Sequence, residues 1–134
     1  ALIDAHLIGP RLHALLIPGS EVVPSDLRQR KPEVWQITPE LCLVPAAAMG
    51  DRSSRAAIEN SPAFASLLQD LLSAFDYVII DTPPLSLAAD ARLLLRHGGS
   101  CLLVVRAART DLEMLRLALD RVGRSAIAGT ILNG

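Results

Sequence analysis

Aromatic side chains are scarce in this sequence. They make up 3% of 134 residues: one tryptophan, one tyrosine and two phenylalanines. Leu, Ala, Ile and Val must therefore fill the core, and a stacking platform for single-stranded nucleic acid is excluded. Lysine is rarer still, with Lys31 standing against twelve arginines. Neither charge dominates: the net charge is −1. No global field steers the chain to nucleic acid or to an acidic lipid surface. Cys42 and Cys101 each sit inside an apolar run, outside any Cys-x-x-Cys and away from ligand-spaced histidines. They read as two buried thiols of a reducing cytosol. No apolar stretch reaches the roughly 20 residues of a membrane span.

What remains is apolar: 51% hydrophobic and 20% charged, with a mean hydropathy of +0.37. That excludes global disorder. The length fits one domain, 1–134. Its opening on Ala1-Leu2-Ile3-Asp4, in mid-strand, leads us to expect a piece of something longer.

Five short runs read as strands: 1–3, 41–44, 77–80, 101–105 and 126–132. Most are continuously apolar, as in strands covered on both faces. Helical patterns separate the later ones. Ser61-Pro62 opens a helix whose Phe64, Leu67, Leu68, Leu71, Leu72 and Phe75 form one stripe. A second helix is expected over 88–97, ending at Gly98-Gly99, with His97 suiting its C-terminal dipole. A third starts at Thr110, with Glu113 completing a capping box. Leu112, Leu115, Leu119 and Val122 line its inner face, and Gly123 stands just beyond its end. Strands alternating with helices predict an α/β fold, a mostly parallel sheet flanked by helices. The proline-rich stretch 18–39 reads as an irregular excursion with a short helix near 25–30, and 49–55 as a polar loop.

The most informative segment is Tyr77-Val78-Ile79-Ile80-Asp81-Thr82-Pro83-Pro84. An apolar strand ends in an acid, where open α/β sheets bind their ligands. An aspartate there can hold Mg²⁺ beside nucleotide phosphates. It can equally satisfy backbone N–H groups of its own loop.

With these residues the sequence resembles the bacterial tyrosine kinases, relatives of MinD and ParA among the P-loop NTPases with deviant Walker motifs. The family's Walker B strand ends Asp-Thr-Pro-Pro, as at Asp81 to Pro84. Asp90-Ala91, Val104-Val105-Arg106-Ala107, Thr110 and Leu132-Asn133-Gly134 match its later motifs in order. Leu2-Ile3-Asp4-Ala5-His6-Leu7, followed by Pro10 and Leu12-His13, matches its second acidic strand, Walker A′. The resemblance covers the whole chain. It implies ATP and Mg²⁺ as cofactors, with Asp81 and Asp4 holding the metal. The catalytic positions would be Asp4, near the γ-phosphate, and His6. Asn133 would bind the adenine edge, or else cap a turn. Arg106 would be a rim contact of the nucleotide, or else a surface charge. The implied activity is a transferase, phosphoryl transfer to tyrosine, regulating bacterial exopolysaccharide or capsule synthesis and export. The implied setting is cytoplasmic, at the inner face of the membrane, beside a membrane polysaccharide co-polymerase, as a homo-oligomer and without nucleic acid.

The departures are equally specific. No Gly-x-x-x-x-Gly-Lys-Ser/Thr occurs, so the ATP-binding P-loop that cradles phosphates is lacking. The N-terminal part that carries it in the family is expected to be missing, leaving a gap in the sheet beside the strand that ends at Asp81. His6 stands where the family has a second aspartate, and Ile8-Gly9 where it has basic residues. Tyr77 is the single tyrosine, and no tyrosine-rich tail is present. The chain by itself is therefore expected to be inactive. Two alternatives stand beside the kinase reading: a ParA/MinD-type positioning ATPase, and a non-enzymatic pseudokinase scaffold.

Overall fold

Continuously apolar runs become central strands where both faces are covered, and alternating runs where one face is open. The computed structural model describes residues 1–6, 12–17, 34–45, 62–84, 94–97 and 99–134. They fall into two compact units, Ala1–Pro83 and Pro84–Gly134.

The first unit holds β1 (Leu2–Asp4), α1 (Leu12–Leu16), β2 (Trp35–Thr38), β3 (Leu41–Val44), α2 (Pro62–Ala74) and β4 (Ile79–Asp81). The strands form one sheet in the order β2-β3-β1-β4. β1 pairs parallel with both β3 and β4, and β2 pairs antiparallel with β3. Burial is deepest in the middle: Ile3, Cys42, Leu43 and Val44 are all fully buried. Full burial of such aliphatic side chains contributes about 1.5–3 kcal/mol each, so these two short strands anchor the unit. In α2, Phe64, Leu68 and Leu71 are buried while Leu72 is exposed, so the apolar stripe is narrower than its spacing suggests. β4 is the edge strand. Among the described residues nothing pairs with its outer side, and Ile79 is exposed there.

In this unit one strand departs from expectation. Within the stretch read as irregular, Trp35–Thr38 is a strand, with a register shift between Gln36 and Thr38. Trp35 and Ile37 are half-buried and Gln36 and Thr38 exposed, the period-2 pattern of a one-sided edge strand. The helix expected near 25–30 and the loop at 49–55 lie outside the described residues.

The second unit holds β5 (Cys101–Arg106), α3 (Leu112–Val122), a 3₁₀ turn (Arg124–Ala126) and β6 (Ile127–Asn133). β5 and β6 form a parallel two-stranded sheet. Leu103 is buried while Leu102 and Val104, its neighbours along β5, are exposed. The expectation of cover on both faces is therefore not met for this strand among the described residues. The N-terminus of α3 also differs. Its cap is Asp111, not Thr110: the Asp111 carboxylate accepts from Glu113 N (2.7 Å) and Met114 N (3.2 Å). Glu113 then falls one position too early for a capping box. Leu115, Leu119 and Val122 are half-buried and Ala118 is buried, but Leu112 is exposed. Gly123, at φ 88°, ends the helix and donates to the Leu119 carbonyl, a left-handed turn that a side chain would strain. Of the helix expected over 88–97, only 94–97 are described; Leu94 is buried and accepts from His97 N (3.1 Å).

Both cysteines are free thiols. Cys42 is buried, whereas Cys101 is half-buried, and desolvation still pushes its thiol above the usual range, away from reactivity.

Candidate active site

Parallel pairing decides which side chains meet at the sheet rim. β1 and β4 run in register: Leu2 opposite Ile79, Ile3 opposite Ile80, Asp4 opposite Asp81. Register partners on parallel strands project to the same face, so the two acids leave the same carboxyl-terminal rim side by side. The pairing continues one step beyond the strands, where Ala5 N donates to the Asp81 carbonyl (2.9 Å). Two apolar triplets ending in an acid, aligned without a shift, thus bring Asp4 and Asp81 together.

Their surroundings differ. Asp4 is on an interior strand and only 1% exposed. Its carboxylate accepts from His6 N at Oδ1 (3.1 Å) and from Leu12 N at Oδ2 (3.3 Å). A buried carboxylate needs such hydrogen-bond donors in place of the water it has lost. Asp81 lies on the edge strand and is exposed. Among the described residues its carboxylate takes no hydrogen bond. Partial desolvation at the rim, then the like charge of Asp4, hold its carboxyl above the usual carboxylate range; His6 opposes both. Asp4, His6 and Asp81 therefore share one electrostatic neighbourhood.

That neighbourhood suits a hard divalent cation. Mg²⁺ takes one or two carboxylates and completes its shell with phosphate oxygens and waters. A cation beside Asp81 would also neutralise the repulsion between the two acids. No group of three or more His, Cys, Asp or Glu residues able to hold a metal occurs among the described residues. The pair can therefore support a nucleotide-borne ion but does not form a cage of its own.

In the second unit, Arg106 and Asn133 are also register partners, at the carboxyl ends of β5 and β6. Both are exposed. Ala107 N donates to the Asn133 carbonyl (2.7 Å). Thr110 accepts from Arg106 N through its hydroxyl (2.9 Å), while Thr110 N and Arg109 N donate to the Arg106 carbonyl (2.9 and 3.3 Å). Ala108 sits at φ 54° in the middle of this turn. The Asn133 side chain makes no hydrogen bond among the described residues, so it does not act there as a turn cap. Sequence reasoning matched Thr110 to a motif but missed its work, which is to fix the main chain of Arg106. Its signal was the four-residue spacing. The roles of Leu12 N and His6 N at Asp4 had no such signal.

No family model matches the sequence. Individual relatives do. The chain is 31% identical over 142 residues to tyrosine-protein kinase wzc of Salmonella typhimurium, covering 98% of this chain and 19% of that protein. It is 30% identical over 97 residues to tyrosine-protein kinase CpsD of Streptococcus agalactiae serotype III, covering 71% and 41%. The chain thus spans less than half the length of either relative. Among solved structures, the BceF tyrosine kinase domain superposes with a TM-score of 0.72 at 28% identity, over 99% of this chain and 55% of that one. The chimerical protein CapA2B2 gives 0.79 at 24% identity, over 98% and 61%, which speaks for the fold. In sequence and in fold, this chain belongs with the bacterial tyrosine kinases and spans part of their kinase domain.

Proposed function

We propose that the protein carrying this chain uses Mg·ATP to phosphorylate tyrosine and thereby regulates the synthesis and export of bacterial capsule or exopolysaccharide. The observation that carries this reading is the register of Asp4 with Asp81 at one rim. Phosphoryl transfer needs positioning and charge neutralisation more than covalent chemistry from the protein. Bound Mg²⁺ would supply that neutralisation. Asp81 is the exposed carboxylate able to hold it, with Asp4 adding negative charge beside it. His6, next to them, favours the ionised form of Asp81. Arg106 and Asn133 end adjacent strands in register, which suits a nucleotide rim and an adenine edge respectively.

The setting follows the same reading: the inner face of the membrane, a homo-oligomer, and a polysaccharide co-polymerase as the membrane partner. Among the described residues no helix is long and apolar enough to cross a membrane. The sequence contains no P-loop. The 134 residues alone are therefore expected to bind Mg·ATP more weakly than roughly 100 µM, since losing a phosphate cradle removes several tenfold steps of affinity.

The test is tyrosine phosphorylation by the full-length protein with its co-polymerase, supplied with labelled ATP. Asp81→Asn is expected to lower the rate by about a hundredfold or more, the scale of a lost metal-borne charge. A rate unchanged by that substitution refutes the reading. Converting His6→Asp separates kinase from pseudokinase: a native protein without activity that gains it on substitution is a degenerate partner.

A further inference from the structure

Asp4 and Asp81 are equivalent by register and unequal in every other respect. Asp4 is 1% exposed, and each of its carboxylate oxygens accepts from one main-chain donor. One donor, His6 N, lies two residues after it; the other, Leu12 N, lies eight residues on, where α1 begins. One side chain therefore ties together the two ends of the connection from β1 to α1. Charge-assisted bonds of this kind are roughly twice as strong as neutral ones. Each oxygen keeps acceptor capacity beside its donor, so it is burial that stands between Asp4 and a direct metal bond. The ion would have to shed water to reach a buried group, and Mg²⁺ dehydrates reluctantly. Asp81 imposes no such demand, being exposed and without a hydrogen-bonded donor among the described residues.

We propose that Asp4 is a positioning residue: its carboxylate staples the start and the end of the β1–α1 connection, and Asp81 alone of the two acids takes the cation. This rests on the proposed use of Mg·ATP at this rim. It gives the pair separate tasks. Asp4 acts through the backbone of His6, holding that residue beside Asp81, and through the first residue of α1. The staple persists when the cation arrives.

The test uses the full-length protein and two readouts: hydrogen exchange resolved to the His6 and Leu12 amides, and the Mg²⁺ concentration for half-maximal phosphorylation. Asp4→Asn keeps the shape but loses acceptor capacity, so exchange at one or both amides is expected to rise about tenfold or more. Its Mg²⁺ requirement is expected to rise by no more than about threefold, the loss of a neighbouring charge and not of a ligand. Asp81→Asn should do the reverse, leaving both amides protected and raising the Mg²⁺ requirement about tenfold or more. In the unsubstituted protein, adding Mg²⁺ with a non-hydrolysable ATP analogue should leave both amides protected, a result that needs no variant to fold. The proposal is overturned if Asp4→Asn exchanges at the native rate. It is equally overturned if Mg·nucleotide deprotects the two amides, or if Asp4→Asn raises the Mg²⁺ requirement as far as Asp81→Asn does. A protein that neither binds nor uses Mg·ATP refutes the proposed function and the cation role of Asp81; exchange in Asp4→Asn then still decides the staple.

Discussion

Asp4 and Asp81 occupy the same register position on neighbouring parallel strands, yet one is bonded and buried and the other faces water. The difference comes from strand order. β1 has a neighbour on each side, while β4 ends its sheet. An acid on the inner strand must find donors within the fold, and an acid on the outer strand need not.

Stability should respond first at Asp4. Asp4→Ala removes a buried acceptor and strands two N–H groups, His6 N and Leu12 N. An unsatisfied buried donor costs about 1–3 kcal/mol, and these two lie on half-buried residues, so a loss of about 2 kcal/mol in all is expected. Asp4→Asn, which keeps one acceptor oxygen, should lose less. Urea denaturation of the two variants would check the order; equal stability to wild type would show that the hydrogen bonds contribute nothing.

Asp81 should act in the opposite sense through pH. Its folded-state carboxyl titrates above the ordinary value of 3.8. Between the unfolded and folded values, the native state binds more protons than the unfolded state. Stability therefore falls as pH rises through that window and stays lowered above it. Asp81→Asn abolishes this dependence. The variant is expected to gain on wild type at neutral pH, and the gain should shrink as pH drops toward 3.8. Paired denaturation curves across pH 3 to 7, a span set to bracket ordinary carboxylate titration, would check it. A wild-type protein that gains relative to Asp81→Asn as pH rises would contradict the assigned environment.

The start of α3 offers a third measurement. Asp111 supplies the cap through two hydrogen bonds, so Asp111→Ala should cost about 1 kcal/mol. Glu113→Ala should be nearly neutral, within about 0.5 kcal/mol, because its side chain closes no capping box. Thermal denaturation of both distinguishes this geometry from one capped by Thr110, in which the ranking would reverse.

How much of this was legible beforehand varies by element. The rim was: two apolar runs each stopping at an acid are enough to put Asp4 and Asp81 at strand ends, and a parallel register does the rest. β2 was not, because Pro32 and Pro39 flank it and four alternating residues are a faint signal beside them. The signal was nonetheless present in Trp35-Gln36-Ile37-Thr38. The cap of α3 was misplaced by one residue because Thr110 and Asp111 are both good caps. The spacing to Glu113 favoured the first, whereas the Arg106 main chain claims the Thr110 hydroxyl. The attachment of Leu12 to Asp4 depends on how a connection folds back on itself, and no local pattern encodes that.

The bare flank of β4 has a practical consequence. Amide and carbonyl groups stand unclaimed along it among the described residues, with Ile79 and Tyr77 exposed nearby and only Pro83-Pro84 to interrupt the strand's far end. Natural sheets guard such borders with lysines, bulges or covering segments. Handled as a solitary polypeptide, this stretch will be prone to cling to its own kind, so its solubility will depend on concentration.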